Sequence, residues 1–271
     1  MPLKSAYLLP HCPLLIPEIG KNNYSFFEKT EKAYQLAASE MIDNEVEILV
    51  IISPHLSSNS DSFQINVAPE MEINLKDFGY IHNKTSLDGA AVLADRAFES
   101  LKEKYKTTLS SETTLDYGSA IPALILKNLN FNPRLLVISI AKDASRDTQL
   151  EFSKELGSII KSSPKNIAVI ASGDLSHKLQ QKSPGGYSPK GAKFDNKIIE
   201  ILSEEETASD EIIKIDDNLV KAASECALLP IIGLLGIIDS YKFETSILAY
   251  QTEFGIGYLS AKFDILELKS E

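Results

Sequence analysis

The sequence predicts an α/β protein: a single three-layer α/β/α domain over residues 1–271 with a central, mostly parallel or mixed sheet. Two observations carry this. Short apolar runs rich in Ile and Val (Ile48-Leu49-Val50-Ile51-Ile52, Ile167-Ala168-Val169-Ile170-Ala171) read as strands buried on both faces, as in parallel sheets. Between them lie longer segments whose apolar residues recur at helical spacing. A third observation concerns the ends of the runs. Ala6-Tyr7-Leu8-Leu9 is followed by Pro10-His11, the second run closes in Ser53-Pro54-His55, and the third continues through Gly173-Asp174-Leu175-Ser176 to His177. Ligands bind beyond the carboxyl ends of strands in open α/β sheets. Three of the four histidines are thus expected on one rim.

Taken in order, Ala6–Leu9 is the first strand and 13–20 a loop. Residues 25–42 read as a helix through Phe26, Phe27, Ala33, Tyr34, Ala37 and Ala38, and 47–53 as the second strand. A turn is expected at 57–61, and Phe63, Ile65 and Val67 alternate as in a half-buried strand or hairpin arm. Residues 88–104 and 119–129 read as helices, with Pro122 tolerable in a first turn. A strand at 134–140, a helix at 148–161 and a strand at 166–172 follow. Residues 178–191, with Pro184, Gly185, Gly186 and Pro189, are a polar surface loop, either a lid over a site or a plain connector. Residues 193–202 look helical. Residues 203–217 carry seven acidic residues and read as a solvated helical face. A buried helical segment at 222–238, broken near Pro230, and strands at 245–250 and 257–263 complete the chain.

Composition narrows the function classes. Hydrophobic residues make up 44% and charged residues 24%, which is globular. The formal net charge of −11 argues against nucleic acid and against an anionic membrane surface. No apolar stretch reaches the roughly 18 residues that span a bilayer. The N-terminus has no secretory pattern, and two cysteines, Cys12 and Cys226, suggest no disulfide framework. A cytoplasmic location is expected.

Imidazole is the commonest metal ligand and titrates near neutral pH. His11 and His55 read either as ligands or as strand-end histidines bonded to backbone; their matched Pro-His context favours ligands. Two histidines and one carboxylate form a non-haem Fe(II) arrangement. Among 38 acidic residues Glu225 stands out, because Ala222-Ala223-Ser224 and Cys226-Ala227-Leu228 surround it with small and apolar side chains. A buried carboxylate is usually paired or bound to a metal. The other reading of Glu225 is a helix face reaching water. His82 has no such context and reads as a surface residue.

Pro10-His11, Ser53-Pro54-His55, Gly173-Asp174-Leu175-Ser176-His177 and Ser224-Glu225-Cys226, in this order across essentially the whole chain, resemble the LigB-like catalytic subunit of class III extradiol ring-cleavage dioxygenases. Memo-like proteins belong to the same superfamily. The resemblance implies that His11, His55 and Glu225 ligate Fe(II), with zinc or another divalent metal as alternatives. It implies that His177 is the acid/base, taking a proton from a substrate hydroxyl and returning it later. It implies a small catechol-like aromatic substrate and O2, and either self-association or a small accessory subunit. Asp174 is expected to orient His177 or to cap a helix starting there.

Two departures bear on this. Many ring-cleaving members carry Asp-His-Gly where this chain has Asp116-Tyr117-Gly118, so that Tyr117 takes the place of a substrate- or dioxygen-binding histidine. A phenol donates a hydrogen bond but is not cationic at pH 7. Cys12 follows His11 and Cys226 follows Glu225, as two small buried hydrophobes or as a thiolate beside the metal. Three readings follow: an Fe(II) extradiol dioxygenase, a Memo-like metal-binding or redox-linked protein without catechol cleavage, and a metal-dependent hydrolase.

Overall fold

The computed structural model describes residues 1–55, 60–81 and 85–269. The elements run β1 (Leu3–Leu9), α1 (Pro17–Gly20), α2 (Glu28–Asp43), β2 (Ile48–Ser53), β3 (Phe63–Asn66), β4 (Glu70–Ile73), β5 (Thr85–Asp88), α3 (Ala91–Leu101), β6 (Thr107–Ser110) and α4 (Tyr117–Asn128). They continue with β7 (Arg134–Ser139), α5 (Arg146–Lys161), β8 (Ile167–Ser172), α6 (Pro189–Leu202), α7 (Ala208–Ile212), α8 (Asp217–Ala223), α9 (Leu228–Ile238), β9 (Tyr241–Gln251) and β10 (Tyr258–Leu268).

The main sheet has the order β6-β3-β7-β2-β8-β1-β10-β9. Its centre, β7-β2-β8-β1, is parallel. The hairpin β9–β10 joins antiparallel to β1, and β3 antiparallel to β7, so the sheet is mixed. The alternation of side chains shows why the central runs are apolar throughout. Ile48, Val50 and Ile52 enter the core under α3, α5 and α9, whereas Leu49 and Ile51 enter the core under α2 and α4. Residues 135–138 and 167–171 divide in the same way. With both faces covered by helices the layers are α/β/α. Among the described residues no helix is long and apolar enough to cross a membrane.

Several local expectations change. Residues 13–20 are two short helical turns, not a loop, each begun by a proline. The helix expected from residue 25 begins at Glu28, after a 3-10 stretch over Lys21–Phe27. The small hairpin β4–β5 and the short β6 have four residues each, too few for a period to register. α4 starts at Tyr117, capped by the Asp116 carboxylate, so Pro122 lies in its interior. The break within 222–238 falls at Ser224–Ala227, not Pro230. Ser224 adopts a left-handed conformation (φ 56°) that ends α8, and Pro230 fits the first turn of α9. The acidic 203–217 segment forms only the short α7 and the start of α8. The turn expected at 57–61 falls largely on residues outside those described, as does His82.

Candidate metal centre

The strand order places β8 between β1 and β2, so the carboxyl ends that carry His11, His55 and His177 are neighbours. Leu9 pairs with Ser172 and Ile52 with Ala171, which brings the three chain exits to one level. His11 and His55 meet there, with their Nε2 atoms 3.2 Å apart. The third group is a thiol. Cys226 Sγ lies 3.5 Å from His11 Nε2. Ligand atoms of His11, His55 and Cys226 all lie within 4.8 Å of one another, among the described residues.

The break between α8 and α9 delivers Cys226. Its backbone N–H donates to Asp174 O (3.1 Å), and the Asp174 N–H donates back to Cys226 Sγ (3.3 Å). Gly173 permits this contact: a Cβ there would fall 2.5 Å from Ala227 Cα. The side chain of Asp174 neither caps a helix nor touches His177. Its Oδ1 accepts from the His11 N–H (3.1 Å), and its Oδ2 stands 4.0 Å from His11 Nε2. Burial pushes this carboxyl up to about 7.

Glu225, expected as the carboxylate ligand, is not brought into the cluster. Its Oε2 accepts from the Leu228 N–H at 2.7 Å, which caps the start of α9. Burial raises its pKa to about 7, against the opposing pull of the Leu228 and Ala227 amides and Arg146. The carboxylate borders a cleft of about 710 Å³ lined also by Lys142, Arg146, Ile215, Val220 and Leu229.

His177 stands beside the pair, partly buried. Its Nδ1 is 2.7 Å from Ser224 O, and a carbonyl only accepts, so Nδ1 carries the proton and Nε2 is left with its lone pair. Burial lowers its pKa. Burial also lowers the pKa values of His11 and His55, followed by His55 and then His177 for His11, and by the Lys142 ammonium and then His177 for His55. His11 falls well below its usual value and His55 to about 4, so both imidazoles are neutral at pH 7, as ligation requires. The 178–191 segment that follows is tied down: Leu179 N–H and Ser183 Oγ donate to Gly255 O, and Gly185 N–H to His177 O.

Tyr117, at the start of α4, stacks on His55 (ring centroids 4.2 Å apart, 23° between planes) and meets His11 edge-on at 5.4 Å. Burial raises its phenol further above neutral pH, so it serves only as an uncharged group. Gly118 lets α4 approach: a Cβ would lie 2.7 Å from Ser53 Oγ and 3.0 Å from His55 Cδ2. Cys12 is buried near Tyr258, and burial pushes its thiol up to about 12. The sequence does not reveal Ser172 or the anchoring role of Asp174, since both depend on His11 being brought to them by the register of β1 on β8.

Two neutral imidazoles and a thiol form a donor set suited to a transition metal or zinc, so the residues present fit a bound divalent cation. A family model for the catalytic LigB subunit of aromatic ring-opening dioxygenase matches residues 5–260. Protein CA_C1420 of Clostridium acetobutylicum is 28% identical over 273 residues, which cover 95% of this chain and 57% of that protein. The chain thus spans a little over half the length of that curated relative. The crystal structure of uncharacterized protein JW3007 from Escherichia coli K12 aligns at a TM-score of 0.68 and 19% identity, covering 96% of this chain and 99% of that one. That likeness shows a shared fold.

Proposed function

Because the chain belongs to the family of catalytic LigB subunits of aromatic ring-opening dioxygenases, we propose that it is a metal-dependent oxidoreductase that opens the ring of a catechol-like aromatic diol with O2, with Fe(II) as the metal. The observation that carries this reading is the convergence of His11 and His55 with His177 beside them and not among them. When bound, the metal supplies Lewis acidity and a template that holds both reactants together. His11 and His55 hold it through Nε2, with Cys226 as the third donor and Asp174 the nearest carboxylate to His11. His177, with Nδ1 fixed by Ser224 O, presents a lone pair at Nε2 that accepts the proton of a substrate hydroxyl. Tyr117 offers an uncharged hydrogen-bond donor where a histidine would offer a cation.

Cys226 favours a second reading. A soft thiolate ligand selects zinc or copper over ferrous iron, which fits a metal-binding or redox-linked protein of the Memo-like kind without catechol cleavage. One experiment separates the two. Protein reconstituted anaerobically with Fe(II) is given a panel of catechols and then air. Yellow ring-opened products support the dioxygenase. No turnover with any catechol, together with tight stoichiometric zinc, supports the second reading.

A further inference from the structure

Ser172 is fully buried at the end of β8, between His11 and α4. Among the described residues its hydroxyl has two hydrogen-bonding neighbours, His11 Nδ1 at 2.9 Å and Gly118 O at 2.5 Å, and one hydrogen to give. The α-helical partner of Gly118 O would be the N–H of residue 122, and Pro122 has none. Gly118 is buried, so its carbonyl needs another donor. The Ser172 hydrogen goes there.

We propose that Ser172 is a positioning residue that locks His11 in the Nδ1–H tautomer: its hydroxyl donates to the carbonyl orphaned by Pro122 and therefore accepts from His11 Nδ1. The proline inside α4 thus aims a lone pair of the histidine that follows β1. With the proton held at Nδ1, Nε2 faces His55 and Cys226 as a bare donor atom. Were the hydroxyl free to rotate, it could donate to Nδ1 instead, and the proton at Nε2 would then block ligation. This rests on the metal-binding reading above, but the tautomer exists with or without metal.

The test uses the full chain with 15N-labelled histidine, metal-free, at a pH where the imidazoles are neutral. Two-bond 15N–1H correlations report which nitrogen of His11 is protonated. The wild type is expected to show Nδ1–H. Ser172→Ala removes the acceptor, and a tautomer mixture is expected with Zn2+ affinity roughly 10–100-fold weaker. Pro122→Ala leaves Ser172 in place but supplies a competing N–H to Gly118 O. It is expected to shift His11 toward Nε2–H and to weaken Zn2+ binding while thermal stability holds or rises. A merely structural role for Ser172 would not move the tautomer in the Pro122 variant. An unchanged His11 tautomer in either variant overturns the proposal. Failure of the wild type to bind Zn2+ at all counts against the metal reading alone, and the tautomer then decides the lock.

Discussion

Tyr117 lies over the His55 ring at a centroid distance of 4.2 Å, so the residue that departs from the family pattern braces one of the two imidazoles. An aromatic pair of this kind is worth about 0.5–1.5 kcal/mol beyond its buried area. Tyr117→Ala is expected to loosen His55 and weaken metal binding by a few-fold to about tenfold, whereas Tyr117→Phe keeps the affinity. Calorimetric Zn2+ titration of the three proteins checks this; equal affinities in all would mean the stack does not hold His55.

Cys226 and Glu225 are adjacent but face different tasks. Cys226→Ser is expected to lower metal affinity by at least about tenfold, since a hydroxyl is a far poorer soft-metal ligand. Glu225→Gln keeps an acceptor for the Leu228 N–H and is expected to retain stoichiometric metal. Glu225→Ala loses the cap and about 1 kcal/mol of stability. The reverse pattern, metal kept without Cys226 and lost without the carboxylate, would make Glu225 the ligand.

His177→Ala is expected to retain the metal and lose turnover by roughly 10²–10⁴-fold, the usual weight of a positioned acid/base. Metal analysis beside single-turnover kinetics distinguishes this from ligand loss. A variant that no longer holds metal would place His177 in the coordination sphere.

Asp195 links stability to pH. It is fully buried in α6, where Oδ1 accepts from the Ser176 N–H (2.9 Å) and Oδ2 from the Tyr250 hydroxyl (2.8 Å). Burial raises its pKa from 3.8 to about 6. The native state therefore holds this proton more tightly than the unfolded chain. The contribution of Asp195 falls as pH rises from about 4 through about 6, by up to about 3 kcal/mol. Asp195→Asn is expected to be more stable than the wild type at pH 7.5, with the difference vanishing near pH 4. Urea melts of metal-free protein at both pH values measure this, and a pH-independent difference would refute it.

The parallel centre of the fold was legible in the sequence because strands covered on both faces must be apolar at every position, as 48–52 and 167–171 are. The rim followed from where those runs end. The sequence points to a break at Pro230 because proline is the visible helix breaker, whereas the serine in the left-handed region at 224 leaves no mark in composition. The break also separates two neighbours that the sequence leaves equivalent: along a continuous helix Glu225 is as good a candidate as Cys226, whereas here the thiol faces His11 and the carboxylate accepts from the Leu228 amide. Partners such as Ser172 come from register between strands far apart in the chain, which no local pattern encodes.

The interlock at Gly173 reaches beyond the site. Across 52 positions the Cys226 N–H donates to Asp174 O and the Asp174 N–H to Cys226 Sγ, and Cys226 meets His11 across 215. A cation held there would clasp the first strand to the last third of the chain. Native chain alone can present that grip, so occupancy would act as a thermodynamic latch: at a hundredfold excess over Kd it would add about 2.7 kcal/mol to the folded state. Whatever chemistry the cation performs, its supply would then also set what fraction of the chain is folded.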